Sequence, residues 1–123
     1  MSFSLKNIDH ISLHVADLEK SIWFYGKVLL LKQKDRPAFN FQGAWFQVGP
    51  QEIHLIAGRE KPVNSHSRGT HLALEIDSID AFRAHALPLW ESIDAPKTRP
   101  DGIHQQFLSD PDGFRIELTE KGN

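Results

Sequence analysis

The sequence contains no cysteine. That absence removes disulfide frameworks, zinc ribbons, thiolate nucleophiles and iron–sulfur clusters, so any metal must be held by nitrogen and oxygen. Long apolar runs are also missing: a stretch such as Val28–Leu31 is far too short to span a bilayer. The opening residues, Met-Ser-Phe-Ser-Leu-Lys-Asn, carry no apolar signal core, which makes the cytoplasm the expected location. Neither charge sign dominates. Fourteen Lys and Arg against sixteen Asp and Glu leave a formal net charge of -2, which argues against a nucleic-acid or anionic-membrane footprint. What is present is a chain of 123 residues with 40% hydrophobic and 24% charged residues, the composition of a globular protein, and seven histidines.

The chain repeats itself. Ile8-Asp9-His10-Ile11-Ser12-Leu13-His14-Val15 resembles Gly69-Thr70-His71-Leu72-Ala73-Leu74-Glu75-Ile76, with His10 and His71 61 positions apart. An acidic, helix-opening segment follows each, from Asp17 and from Asp77. Lys34, Arg36 and Pro37 return as Lys97, Arg99 and Pro100, Phe46 as Phe107, and Ile53-His54-Leu55 as Ile116-Glu117-Leu118, all at offsets of 61–63. Two copies are too few for a solenoid and point instead to two half-domains related by pseudo-twofold symmetry.

Within each copy the pattern reads β-α-β-β-β. Residues 8–15 alternate as a half-buried strand, Asp17 caps a helix ending near Leu29 or Leu30, and Leu18, Ile22, Tyr25 and Leu29 form its apolar stripe. Strands are expected at 31–36, 44–48 and 52–57, with a turn at Gly49-Pro50-Gln51. The second copy predicts a strand at 71–76, a helix at 79–87, and strands at 93–98, 104–109 and 114–119. Asp110-Pro111-Asp112-Gly113 is the hairpin turn between the last two. The expected fold is thus α+β: one domain of two tandem βαβββ modules with mixed sheets, at about 5–58 and 69–120 with a loop between them.

Strand parity sorts the polar residues. His54 and Glu117 stand between apolar neighbours, and His10 and His71 precede one, all of which face the opposite way, towards the helices. All four therefore share the sheet face without helices, and the repeat makes His10 equivalent to His71 and His54 equivalent to Glu117. A polar strand face is otherwise an ordinary solvated one. His14 and Glu75 fall further along the same face. His14, His66, His85 and His104 are not expected to be ligands; His66 lies in the loop and His85 on a helix.

Asp9-His10-Ile11 with Val15-Ala16-Asp17-Leu18, Ser21-Ile22-Trp23-Phe24-Tyr25, Thr70-His71-Leu72-Ala73 and Asp110-Pro111-Asp112-Gly113-Phe114-Arg115-Ile116-Glu117-Leu118, in this order and spacing, resemble the vicinal oxygen chelate superfamily. That superfamily includes glyoxalase I, fosfomycin- and bleomycin-resistance proteins and extradiol dioxygenases. The resemblance runs from about Ile8 to Glu120 and is to a small, glyoxalase-I-like member. It implies a divalent metal ion held by His10, His54, His71 and Glu117, with Glu117 also the catalytic base. Three imidazoles and one carboxylate suit Zn, Ni, Fe(II) or Mn(II). A histidine at position 54 departs from bacterial glyoxalase I, where a carboxylate is usual. The implied function is lyase or isomerase chemistry on a small substrate that chelates the metal through adjacent oxygens. The alternatives are a resistance-type transferase, a dioxygenase or a drug-sequestering binding protein of the same superfamily. A homodimer is expected, with the site either within one chain or shared by two. For substrate contacts, Phe39, Phe41, Trp45 and Phe46 read equally as pocket wall or core, Arg36 and Arg99 as anion-holding or solvated, and Gln106 is placed by parity towards the cavity.

Overall fold

The computed structural model describes residues 2–122. The chain divides into two compact units, one running to Arg59 and the other starting at Glu60. Each is built as β-α-β-β-β.

In the first unit β1 (His10–Val15) pairs in parallel with β4 (Gln51–Ala57), and β4, β3 (Gly43–Val48) and β2 (Lys32–Lys34) follow antiparallel, in the order β1-β4-β3-β2. Leu13, Val15, Ala44, Phe46, Ile53 and Leu55 are buried on one face, where strand alternation places them together. Helix α1 (Leu18–Trp23) starts on an Asp17 cap whose carboxylate accepts the Lys20 N–H at 3.1 Å. It then widens into a π-turn over Phe24–Val28, where the Leu29 N–H reaches back five residues to Phe24 O at 3.1 Å. The wider turn rotates the helix surface. The buried stripe is Ser21, Phe24, Tyr25 and Val28, not the expected Leu18, Ile22, Tyr25 and Leu29. Leu30 ends the element in the left-handed region, at φ 56°.

The second unit repeats the topology: β5 (Leu72–Glu75), β8 (Arg115–Glu120), β7 (His104–Ser109) and β6 (Lys97–Thr98), in the order β5-β8-β7-β6, with β5 and β8 parallel. Helix α2 (Ile79–Ala86) begins on Ser78, whose hydroxyl accepts the Ala81 N–H, and buries Ile79, Phe82 and Ala86. The expected strand at 93–98 shrinks to two residues plus one bridge from Ile93 to Leu108. Pro96 lies between them and has no N–H for a ladder. The turn at 110–113 forms as expected. The Asp110 carboxylate accepts the Asp112 and Phe114 N–H groups at 2.9 and 2.8 Å, and Gly113 takes φ 98°. Residues 65–70 are tied down: Ser65 Oγ accepts the Arg115 N–H and donates to Thr70 O. Among the described residues no helix is long and apolar enough to cross a membrane.

Candidate metal and substrate site

The four candidate ligands stand as two pairs, one in each unit. In the first, parallel pairing sets Ser12 beside His54 and His10 beside Glu52, so His10 and His54 share the face turned away from α1. Their rings stack at 4.0 Å with planes 16° apart. The other face of His54 is covered by Trp45, directly opposite on β3, at 4.1 Å and 4°. This double stacking leaves His54 only 9% exposed. Its Nε2 meets Glu52 Oε1 at 2.8 Å, and the second oxygen of Glu52 accepts from Lys34 Nζ. Hydrogen bonds from His54 and then Lys34 hold the Glu52 carboxyl below its ordinary range, against the opposing effect of desolvation. His10 Nδ1 lies 2.8 Å from Asp9 Oδ2, which leaves Nε2 as that ring's outward nitrogen.

In the second unit His71 Nε2 lies 3.0 Å from Glu117 Oε1. Gln105 Nε2 and Thr119 Oγ1 both donate to Glu117 Oε2, each at 2.9 Å. Burial pushes the Glu117 carboxyl up, but the hydrogen bonds from Gln105, Thr119 and His71 outweigh it, and the group sits below its ordinary range. Phe107, opposite Glu117 on β7, meets the His71 ring edge-on at 5.6 Å. His71 Nδ1 lies 3.2 Å from Gly69 O. In this arrangement Nε2 donates to Glu117; were a divalent ion to take the place of that proton, a neutral ring donating Nδ1–H to the Gly69 carbonyl would turn its Nε2 lone pair to the ion.

Of the candidate ligands, the His71–Glu117 pair has a spacing that a divalent ion could bridge. Two ligand atoms about 2.1 Å from one ion and at right angles are about 3.0 Å apart, the spacing of the His71–Glu117 pair. Among the described residues no group of three His, Asp or Glu side chains gathers at metal-binding spacing, so the geometry on view is that of the pairs. The remaining histidines have other partners: His14 with Ala57 O, His66 with Asn64, and His104 with Thr98.

Three readings change. Gln106 does not reach the open face. It is fully buried on the helix side, accepting from Arg83 Nη1 at 2.7 Å and donating to Asp94 O and Phe107 O. Its neighbour Gln105 makes the contact with Glu117 instead. The partner of Phe107 in the repeat is Trp45, since both stand opposite a ligand candidate, and Phe46 is core. Glu52, which the sequence reading passed over, sits two residues from His54 on the same face. That parity is readable in the sequence, since Glu52 opens the strand expected at 52–57 two residues before His54.

The sequence model of the Glyoxalase/Bleomycin resistance protein/Dioxygenase superfamily matches residues 7–118. The chain belongs to this superfamily. Among its curated superfamily relatives is the Bacillus subtilis (strain 168) protein YwbC, 34% identical over 94% of this chain and 98% of that one. The lactoylglutathione lyase of Escherichia coli O157:H7 is 32% identical over 91% and 90% of the two chains. A glyoxalase family protein from Bacillus anthracis superposes with a TM-score of 0.80 at 29% identity, covering 99% of this chain and all of that one. The fosfomycin resistance protein FosX of Listeria monocytogenes, as a variant complexed with Mn(II) and 1S,2S-dihydroxypropylphosphonic acid, shares the superfamily fold at a TM-score of 0.82 and 18% identity, covering 97% of this chain and 95% of that one.

Proposed function

We propose that the protein is a divalent-metal-dependent, glyoxalase-like enzyme acting on a small substrate that offers adjacent oxygens. His10, His54, His71 and Glu117 are its metal ligands. The observation that carries this reading is the His71–Glu117 pair: an imidazole and a largely buried, ionised carboxylate at ligand spacing, with the outer nitrogen of His71 fixed by Gly69 O. A bound divalent ion supplies Lewis acidity at the substrate oxygens. The chain's residues do the rest. Glu117, kept ionised by Gln105 and Thr119, accepts a proton from the substrate carbon and returns it to the adjacent one. Trp45 and His10 hold the His54 ring on both faces, and Glu52 holds its edge. Within its own unit, Phe107 puts an apolar ring against His71, as Trp45 does against His54.

The 32% identical lactoylglutathione lyase supports isomerisation over the resistance-type and dioxygenase readings. We also place the protein in the cytoplasm as a homodimer. Phe3, Leu5 and Ile8 stand exposed at 87%, 91% and 64%, an apolar segment suited to a second copy. The test is turnover of the glutathione–methylglyoxal hemithioacetal by metal-stripped protein reconstituted in turn with Zn, Ni, Fe(II) and Mn(II). Activity that returns with a metal and is lost in Glu117→Gln supports the reading, whereas equal activity of the stripped protein contradicts it.

A further inference from the structure

The open face of the first unit carries more than a ligand pair. From His10 and His54 the rings continue through Trp45 to Phe39, at 6.1 Å, and on to Phe41, stacked on Phe39 at 5.2 Å. Two cations lie along this series. Lys34, 6.0 Å over Trp45, is committed to Glu52. Arg36 is not committed to a carboxylate among the described residues. Its hydrogen bond is from Nη2 to Phe41 O at 2.9 Å, and its guanidinium lies 4.8 and 4.9 Å from the Phe39 and Phe41 ring centres.

Gly43 makes room for this arrangement. A Cβ there would stand 3.1 Å from Arg36 Nε, 3.2 Å from its Cζ and 2.3 Å from Leu55 O, so only a bare backbone lets the guanidinium settle over β3. The two rings, stacked 5.2 Å apart, lie together beside the guanidinium, and beyond the N–H on Phe41 O its fork has further donors of the kind that take a carboxylate in two parallel hydrogen bonds. Arg36, Phe39, Phe41 and Gly43 line an open cavity of about 1060 Å³. Across it, at the start of α1, are Asp17 and Glu19. Those two carboxylates oppose negative charge bound there, a dianion about twice as strongly as a monoanion.

We infer that this cavity is a binding subsite for a monocarboxylate with an apolar or aryl body, its carboxylate on Arg36 and its body against Phe39 and Phe41. The subsite belongs wholly to the first unit and needs no metal, so it and the metal reading stand or fall separately.

The test uses metal-stripped full-length protein, with phenylacetate, the neutral phenylacetamide and the dianionic phenyl phosphate as probes. Binding is followed by calorimetry and by amide NMR shifts. The expected order is phenylacetate first, about tenfold tighter than phenylacetamide, with phenyl phosphate weaker than phenylacetate. The shifts should centre on residues 36–43. Arg36→Gln should erase the preference for phenylacetate over phenylacetamide. Arg36→Lys should keep part of it, and Phe41→Ala should weaken both aryl probes together. Unchanged NMR spectra outside the loop establish that the variants fold. The inference is overturned if phenylacetate and phenylacetamide bind alike, if neither binds at about 10 mM, if phenyl phosphate binds tightest, or if Arg36→Gln binds as the parent does.

Discussion

Replacing Glu117 with Gln in metal-stripped protein tests the electrostatics of the second unit without invoking any ion. The Glu117 carboxylate accepts from His71 through one oxygen and from Gln105 and Thr119 through the other. A carboxamide has a single acceptor oxygen, so at least one of these donors faces an NH2 group. Each hydrogen bond to a charged acceptor is worth about 1.5–3 kcal/mol. Relief of the buried charge offsets part of the loss, which leaves a net cost of about 1–3 kcal/mol at neutral pH. In a domain of this size that lowers Tm by about 3–10 °C. The pH dependence carries the sharper signature. The folded-state pKa of Glu117 is depressed below its ordinary 4.5, so its contribution is fully present above the unfolded value and is lost as pH falls through the folded one. Thermal melts of parent and variant should therefore differ most near neutrality and converge in acid. A gap that stays constant from neutral to strongly acidic pH, or a variant more stable at neutrality, would refute this account of the carboxylate.

Three further substitutions probe separate parts of the structure. Gly43→Ala places a methyl 2.3 Å from Leu55 O and against Arg36, and should cost about 1–3 kcal/mol in urea unfolding; parent-like stability would contradict the close approach. Asp110→Ala removes the acceptor of two turn N–H groups and should cost about 2 kcal/mol, with a loss below about 0.5 kcal/mol counting against the turn geometry. Glu52→Gln should change the nitrogen NMR signature of the His54 ring and weaken divalent-metal affinity by about 10–100-fold, since an outer partner fixes which ring nitrogen is free; unchanged tautomer and affinity would remove Glu52 from the site.

Much of this architecture is legible in the residues because alternation and repetition reinforce each other. The period-2 pattern turns His10, His54, His71 and Glu117 each to the polar side of its own strand, and within the units the pairs His10–His54 and His71–Glu117 are in contact. Strand β7 has the expected bounds. The missed features are those that local pattern does not encode. Two adjacent glutamines, 105 and 106, look alike by composition, and pairing with β8 decides which one meets Glu117. The π-turn shifts the buried stripe of α1 without changing its apolar content. Trp45 and Phe46 are likewise adjacent and aromatic, and only the register with β4 sets Trp45 on His54 and Phe46 in the core.

Titration of stripped protein with Zn or Mn(II) by calorimetry, in the parent, His10→Ala and His71→Ala, reaches the central claim most directly. Each variant removes one member of a different pair. If the two pairs serve one ion, the parent binds one equivalent per chain and either substitution weakens binding by about 100-fold or more. Parent protein that binds neither ion more tightly than both variants do would contradict the metalloenzyme account.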